Sequence, residues 1–278
     1  VVGIAPFEPE YWQRAPLLDK SESVLLWGPS GGGKSRVAAE KLHAFAKHYP
    51  GATVVASRKK FDDMLKSTIP LFRDTVIDVD HDPQCTFRVR ESRIVYNHGM
   101  GKPNSELVFT GIFDEKGREG LKSIGNKGAV DLWWMEEGTE FEEEDYNIVL
   151  TRLRGVAAGW TQVIVTTNPG SPMHWIHRRL IAGDEASEYY SDATMNRYNA
   201  ADYIQRLKSL TGIDRARLFE GKWVDGTGAV ISSWVDRYNP QTGEGPGNVT
   251  PEADYKPGAG PVVWVVDDGY SGERDPNT

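Results

Sequence analysis

The stretch SVLLWGPSGGGKSRVAAEK, residues 23–41, constrains the fold more than any other part of the chain. An apolar run enters a turn made of Gly28, Pro29, Ser30, Gly31, Gly32 and Gly33. It leaves through Lys34 and Ser35 into a pattern in which Ala38, Leu42, Phe45 and Tyr49 recur on one helical face. Gly28, Gly33, Lys34 and Ser35 satisfy G-x-x-x-x-G-K-[ST] in full, after a strand and at the start of a helix. Glycines in such a turn let backbone N–H groups converge on phosphate oxygens, and the helix N-terminus adds partial positive charge. Lys34 is then placed to reach the β- and γ-phosphates, and the Ser35 hydroxyl to ligate Mg²⁺. A Gly-rich turn without a ligand is the competing reading, and the strand-to-helix context weighs against it.

Short apolar runs alternate with helical patterns through the first two thirds of the chain. This predicts an α/β fold of the P-loop NTPase type, a mainly parallel sheet flanked by helices, with a small helical lid subdomain. The strands are SVLLWG, ATVVAS (52–57), TFRV, RIVY, ELVFTGIF, AVDLWWME (129–136) and TQVIVTTN (161–168), the last completing the sheet. Helices are expected near 60–70 and 142–154, then at HWIHRRLI and AADYIQRLKSL outside the sheet. Residues 239–261 are dense in Gly and Pro without apolar periodicity and read as a linker, after which VVWVVDDGY (262–270) starts a new strand. The expected division is an ATPase core over 1–170, a lid over 171–225, a linker over 226–260 and the opening of another domain over 261–278.

Composition narrows the function classes. One cysteine, Cys85, excludes an internal disulfide and a Cys-based zinc cluster, and fits a reducing compartment. No apolar run is long enough to span a membrane and no signal peptide is evident, so a cytosolic protein is expected. A formal net charge of -8 argues against nucleic-acid binding by the whole surface, so any DNA contact must be regional. The chain starts at Val1 and ends in SGERDPNT directly after an apolar strand, which reads as a piece of something longer.

Hydrolysis needs a metal-orienting acid and a group that positions or deprotonates water, typically at the end of a neighbouring strand. DLWWMEEGTEF supplies both. Glu136 closes the apolar run and would support Mg²⁺ through water, while Glu137 would orient or deprotonate the attacking water. The later acids Glu140, Glu142, Glu143, Glu144 and Asp145 read as a helix start. At the end of the next strand, Thr166, Thr167 and Asn168 either sense the γ-phosphate or form a capping turn before Pro169, and spacing alone leaves both open.

With these residues in place the chain resembles the large terminase subunit of tailed bacteriophages, the ATP-driven motor that packs DNA into proheads. GPSGGGKS, ASRKKFDDMLKSTIPLF, DLWWMEEGTEF, RLRG, VTTNPGSPMHWIHRRL and RARLFEGKWVDGTGAVISSW follow the family's order over nearly all of residues 20–270. The resemblance implies that Lys34 and Ser35 are the Walker A pair, and that Glu136 and Glu137 are the Walker B acid and the catalytic glutamate. It makes Thr166, Thr167 and Asn168 a coupling motif, Arg58 a basic position common at the end of the second strand, and Asp267 the first metal-binding aspartate of an RNase H-like nuclease domain. Two departures stand out. Ser30 occupies the place where many members carry an arginine, and Glu136 replaces the commoner aspartate. A trans-acting cation from a neighbouring subunit is implied, and Arg118, Lys127, Arg152 and Arg154 are open candidates. One aspartate cannot hold the two metals such a nuclease needs, so the chain is not expected to cut DNA.

The resemblance further implies ATP and Mg²⁺ as cofactors and double-stranded DNA, the portal and the small terminase subunit as partners. It implies a homo-oligomeric ring on the portal, with the isolated piece monomeric, no membrane contact, and action in the host cytoplasm at the prohead portal. The rivals are another ATP-dependent DNA helicase or translocase, and an assembly module that binds nucleotide with negligible turnover. A small-molecule kinase is more distant, because nothing resembles an acceptor pocket. His174 and His177 share a helix face but lack a third metal ligand, and NKGA (126–129) lacks the aspartate that would read guanine, which favours adenine near Trp12 or Gln13. SRKK (57–60) and HRR (177–179) read equally as DNA-backbone contacts or solvated helix ends.

Overall fold

The computed structural model describes residues 4, 6–78, 82–112, 117, 120, 121, 124 and 129–225. These belong to one compact unit, Val1–Gly228, and the second, Ala229–Thr278, lies outside the described residues together with the linker and the strand expected at 261–278.

Eight strands, β1 (Ser23–Trp27), β2 (Thr53–Arg58), β3 (Cys85–Arg88), β4 (Arg93–Tyr96), β5 (Ser105–Gly111), β6 (Leu132–Glu136), β7 (Gln162–Thr167) and β8 (Ser187–Tyr190), make one sheet in the order β3-β4-β5-β2-β6-β7-β1-β8. β4 pairs antiparallel with β3 and with β5, and every other neighbouring pair is parallel. The central strands are apolar at nearly every position because both faces are covered. Alternate residues serve the two faces. Val24, Leu26, Val54, Ala56, Leu132, Trp134 and Ile164 pack on one side with Val37, Ala38, Leu42 and Phe45 of helix α2 (Lys34–His48). Leu25, Val55, Trp133, Met135, Val163 and Val165 pack on the other with Tyr146, Val149, Trp175, Ile176 and Leu180.

Further helices among the described residues are α1 (Tyr11–Leu18), α3 (Phe61–Lys66), α4 (Thr68–Leu71), α5 (Glu143–Arg152), α6 (Ala201–Lys208) and α7 (Gly212–Leu218). The single helix expected near 60–70 is two, broken at Ser67 with φ -127° and ψ -67°. α4 widens into a π-helical turn over Phe72–Val76, where the Ile77 N–H donates to the Phe72 carbonyl five residues back at 2.8 Å. HWIHRRLI does the same over Ile176–Ile181, with the Ala182 N–H donating to His177 O at 2.8 Å. β6 is shorter than AVDLWWME: Val130 makes only an isolated bridge to Leu153. β7 does not complete the sheet, since Ser187–Tyr190 adds an edge strand parallel to β1. Among the described residues no helix is long and apolar enough to cross a membrane.

Candidate functional site

The carboxyl ends of the central parallel strands meet at one rim, where open α/β sheets hold ligands. Trp27, the last residue of β1, is level with Thr167 of β7, and Thr166 is level with Glu136 of β6. Because β7 lies between β1 and β6, it brings Asn168 between the glycine turn and the acid pair.

The turn leaves β1 through Gly28 at φ +129° and enters α2 through Gly33 at φ +86°, which caps the helix in the left-handed region. A side chain at Gly28 would also place its Cβ 2.1 Å from the Ser191 carbonyl oxygen, so this position requires glycine twice over. The Lys34 amine is buried and donates to Gly28 O at 2.9 Å, Pro29 O at 2.6 Å and Asn168 Oδ1 at 3.1 Å. Burial lowers its pKa to about 8, opposed by the negative charge of Glu137.

Glu136 is buried, and its carboxylate accepts a hydrogen bond from the Thr68 hydroxyl of α4. Burial raises its pKa; the Thr68 bond, the charge of Arg58 and the nearby Ser35 hydroxyl oppose that, while Glu137 adds to it. Glu137 follows in the left-handed region at φ +55°, rare for a residue with a side chain and common where a fold stores strain at a site. Burial raises its pKa as well, against the attraction of Arg58 and Lys34. Arg58, ending β2, donates to Ser67 Oγ at 3.2 Å and to Glu140 at 2.9 Å, so this one cation faces the whole acid group.

Thr166 and Thr167 are buried, with hydroxyls turned to the fold: Thr166 accepts from the Trp134 indole at 2.9 Å, and Thr167 from the Thr139 N–H at 3.2 Å. Asn168 alone of the three reaches the glycine turn. The turn is also held from residues 191–218, which sequence reasoning missed: Asn196 and Asn199 donate to Gly31 O at 2.8 and 2.9 Å, and the Ser30 N–H donates to Leu218 O at 3.2 Å. No local pattern signals these contacts, because they depend on tertiary folding.

Among the described residues no group of three His, Cys, Asp or Glu side chains could hold a metal ion. The donors present beside the turn are the Ser35 hydroxyl and the Glu136 carboxylate. That set fits Mg²⁺, which keeps several waters and takes further oxygens from substrate phosphates. His174 is half-buried beside Trp175, and His177 packs 5.3 Å from Trp223. Arg152 ends α5 and Arg154 follows it, next to Val130 at the amino end of β6, which is about 20 Å of extended chain from Glu136. Arg118, Lys127 and Asp267 lie outside the described residues.

A cavity of about 480 Å³ opens beside Gly33, lined among others by Phe7, Gln13, Arg36, Asn196 and Tyr198. The Arg36 guanidinium lies over the Phe7 ring at 5.0 Å.

A family model described as phage terminase large subunit matches residues 20–220. A search of curated proteins returns no match. Among solved structures, the large terminase of a thermophilic bacteriophage in complex with ADP is similar at TM-score 0.61 and 16% identity, covering 77% of this chain and 52% of that one. The same terminase in complex with ATP-γ-S is similar at TM-score 0.57 and 15% identity, covering 77% and 51%. A mutant of the Thermus phage P74-26 large terminase ATPase domain is similar at TM-score 0.59 and 12% identity, covering 78% of this chain and 95% of that domain. The match therefore spans about half of the first terminase and nearly all of the isolated domain. The chain belongs to the phage terminase large subunit family, and its described part has the fold of that family's ATPase domain.

Proposed function

We propose that the chain binds and hydrolyses ATP with Mg²⁺, and that in its assembly the hydrolysis drives double-stranded DNA into a prohead. The observation that carries this reading is the Lys34 amine, buried at the junction of Gly28, Pro29 and Asn168 and facing Glu137. Solved relatives of this fold in complex with ADP and ATP-γ-S support it.

The glycine turn would cradle the phosphates with its backbone N–H groups, and Lys34 would exchange its carbonyl partners for phosphate oxygens. Ser35 and Glu136 would hold Mg²⁺, which supplies charge neutralisation at the phosphates when bound. Glu137, with its backbone fixed in the left-handed region, holds its carboxyl beside Lys34 to position water; burial makes it a better proton acceptor than an exposed carboxylate. The cavity at Phe7, Gln13 and Arg36 is the place for the adenine and ribose, with the Gln13 side chain next to Gly33. Asn168 would register the loss of the γ-phosphate through Lys34, with Thr166 and Thr167 joining it to the sheet.

The division into a core over 1–170 and a lid over 171–225 belongs to this proposal, with the lid bound to the glycine turn through Asn196, Asn199 and Leu218. Arg152 and Arg154, at the far end of β6, would serve a neighbouring subunit's site in a ring on the portal, with Arg118 and Lys127 as the other candidates. The portal, the small terminase subunit and the host cytoplasm at the prohead complete the proposed setting. The test is turnover and nucleotide binding by two variants. Lys34→Ala should abolish tight nucleotide binding, and Glu137→Gln should bind ATP yet lose turnover by about 10³-fold or more. Parent-rate hydrolysis by Glu137→Gln would remove the catalytic assignment.

A further inference from the structure

We infer that Thr68 is a positioning residue of the hydrolytic site, fixing the Glu136 carboxylate through its side-chain hydroxyl; this rests on the reading of Glu136 as a metal-supporting acid. Thr68 is fully buried and begins α4, and its hydroxyl donates to Glu136 Oε2. A carboxylate on a two-carbon stem can rotate, and a buried one without a donor carries an unmet desolvation cost. The Thr68 hydroxyl removes both problems for Glu136, leaving the rest of the carboxylate to Ser35 and to whatever Ser35 ligates.

The position of Thr68 is itself fixed by packing. The chain breaks at Ser67, and α4 then lies on the sheet through buried Ile69, with Phe72 buried just past its end. The Phe72 ring packs 6.2 Å from Trp134, two residues before Glu136, and 5.4 Å from Phe109. Adjacent residues of the break divide the work: Ser67 Oγ accepts from Arg58 at 3.2 Å, while Thr68 donates to Glu136. Arg58 and Glu136 are therefore both oriented by one dipeptide held against the core. Nothing in KSTIPLF marks it in the sequence, because a Ser-Thr pair at a helix junction reads as capping.

The test compares Thr68→Val, which keeps the shape and removes the hydroxyl, with Thr68→Ser, which keeps the hydroxyl. ATP binding in EDTA, ATP binding across a Mg²⁺ titration, and turnover are measured on each, with thermal unfolding alongside. Thr68→Val should raise the half-saturating Mg²⁺ concentration about tenfold and lower turnover by a similar factor, with EDTA affinity within about twofold of the parent. Thr68→Ser should restore both. In a Glu136→Gln background Thr68→Val should have no further effect on the Mg²⁺ response, which separates positioning from general support of the fold.

An unchanged Mg²⁺ response in folded Thr68→Val, an equal loss of affinity in EDTA, or a failure of Thr68→Ser to restore the response would each overturn the inference. If Thr68→Val does not fold, Thr68→Ser against Thr68→Ala decides on the same readouts. A parent protein whose ATP binding ignores Mg²⁺ would instead overturn the metal-supporting reading of Glu136, and this inference with it.

Discussion

Lys34 Nζ and Asn168 Oδ1 stand 3.1 Å apart, so the first residue beyond β7 holds the amine of the glycine turn from the sheet side. Of the three acceptors around that amine, Asn168 is the only one outside the turn itself.

Removing it should separate binding from turnover. In Asn168→Ala the amine keeps two carbonyl partners, so ATP affinity should stay within about threefold of the parent while the turnover number falls at least about tenfold. Equilibrium binding of a fluorescent ATP analogue and a steady-state phosphate-release assay give the two numbers. An equal loss in both would mean that Asn168 only supports the turn.

The amine also predicts a pH dependence. Burial lowers the Lys34 pKa to about 8 in the free protein, and a bound polyphosphate favours the protonated form. Binding therefore takes up a proton above pH 8, and affinity should fall as pH rises through that value, approaching about tenfold per pH unit. Below pH 8 the amine is already charged and this dependence vanishes. Lys34→Arg, which stays charged throughout, should show a flat profile over the same range, read by titration calorimetry in buffers of different ionisation heat.

Gly28→Ala tests the turn without touching a charged group. The new Cβ would lie 2.1 Å from a backbone oxygen and in a strained region of φ, so ATP binding and thermal stability should both drop. A variant with parent stability and affinity would show that the turn is looser than its contacts with Ser191 indicate.

At the opposite end of the strands, buried Asp131 accepts the Thr53 N–H at 2.9 Å and the Ala157 N–H at 3.0 Å. Asp131→Ala orphans both donors and should cost about 2–3 kcal/mol in urea unfolding. ATP affinity of the folded variant should be unchanged, since no site residue is involved.

Cys85 is buried with its thiol pKa pushed up to about 12, mainly by burial and then by Asp82. Thiol reagents act on the thiolate. Labelling by a disulfide reagent at pH 8 should be at least about 10²-fold slower in the native protein than in urea.

The local and the long-range parts of the site differ in how far the sequence shows them. Gly28 to Ser35 is visible because its chemistry is encoded in consecutive residues, and Glu136 with Glu137 because an apolar run ends on them. Thr68, Asn196, Asn199 and Leu218 enter the site from chain segments far away in sequence, and no spacing rule anticipates them. The edge strand Ser187–Tyr190 escaped notice because four alternating, half-exposed residues carry little apolar signal. α1 was hidden by Pro16 inside it, and the turns at Phe72–Val76 and Ile176–Ile181 by bonds that reach five residues back instead of four.

The placement of β7 between β1 and β6 has a mechanical corollary. The end of β1, which carries the glycine turn, and Glu136 at the end of β6 cannot be drawn apart without shearing ladders on both sides of β7, so the strand ends of the rim are stiff and their spacing hardly adjustable. Any stroke delivered from it must leave through chain beyond the ladders, from Asn168 past β7 or after Ser191 past β8, where the Ser191 N–H makes a last bond to Trp27 O at 3.0 Å. Those two exits, and not the rim, are where a hinge can bend at little energetic cost.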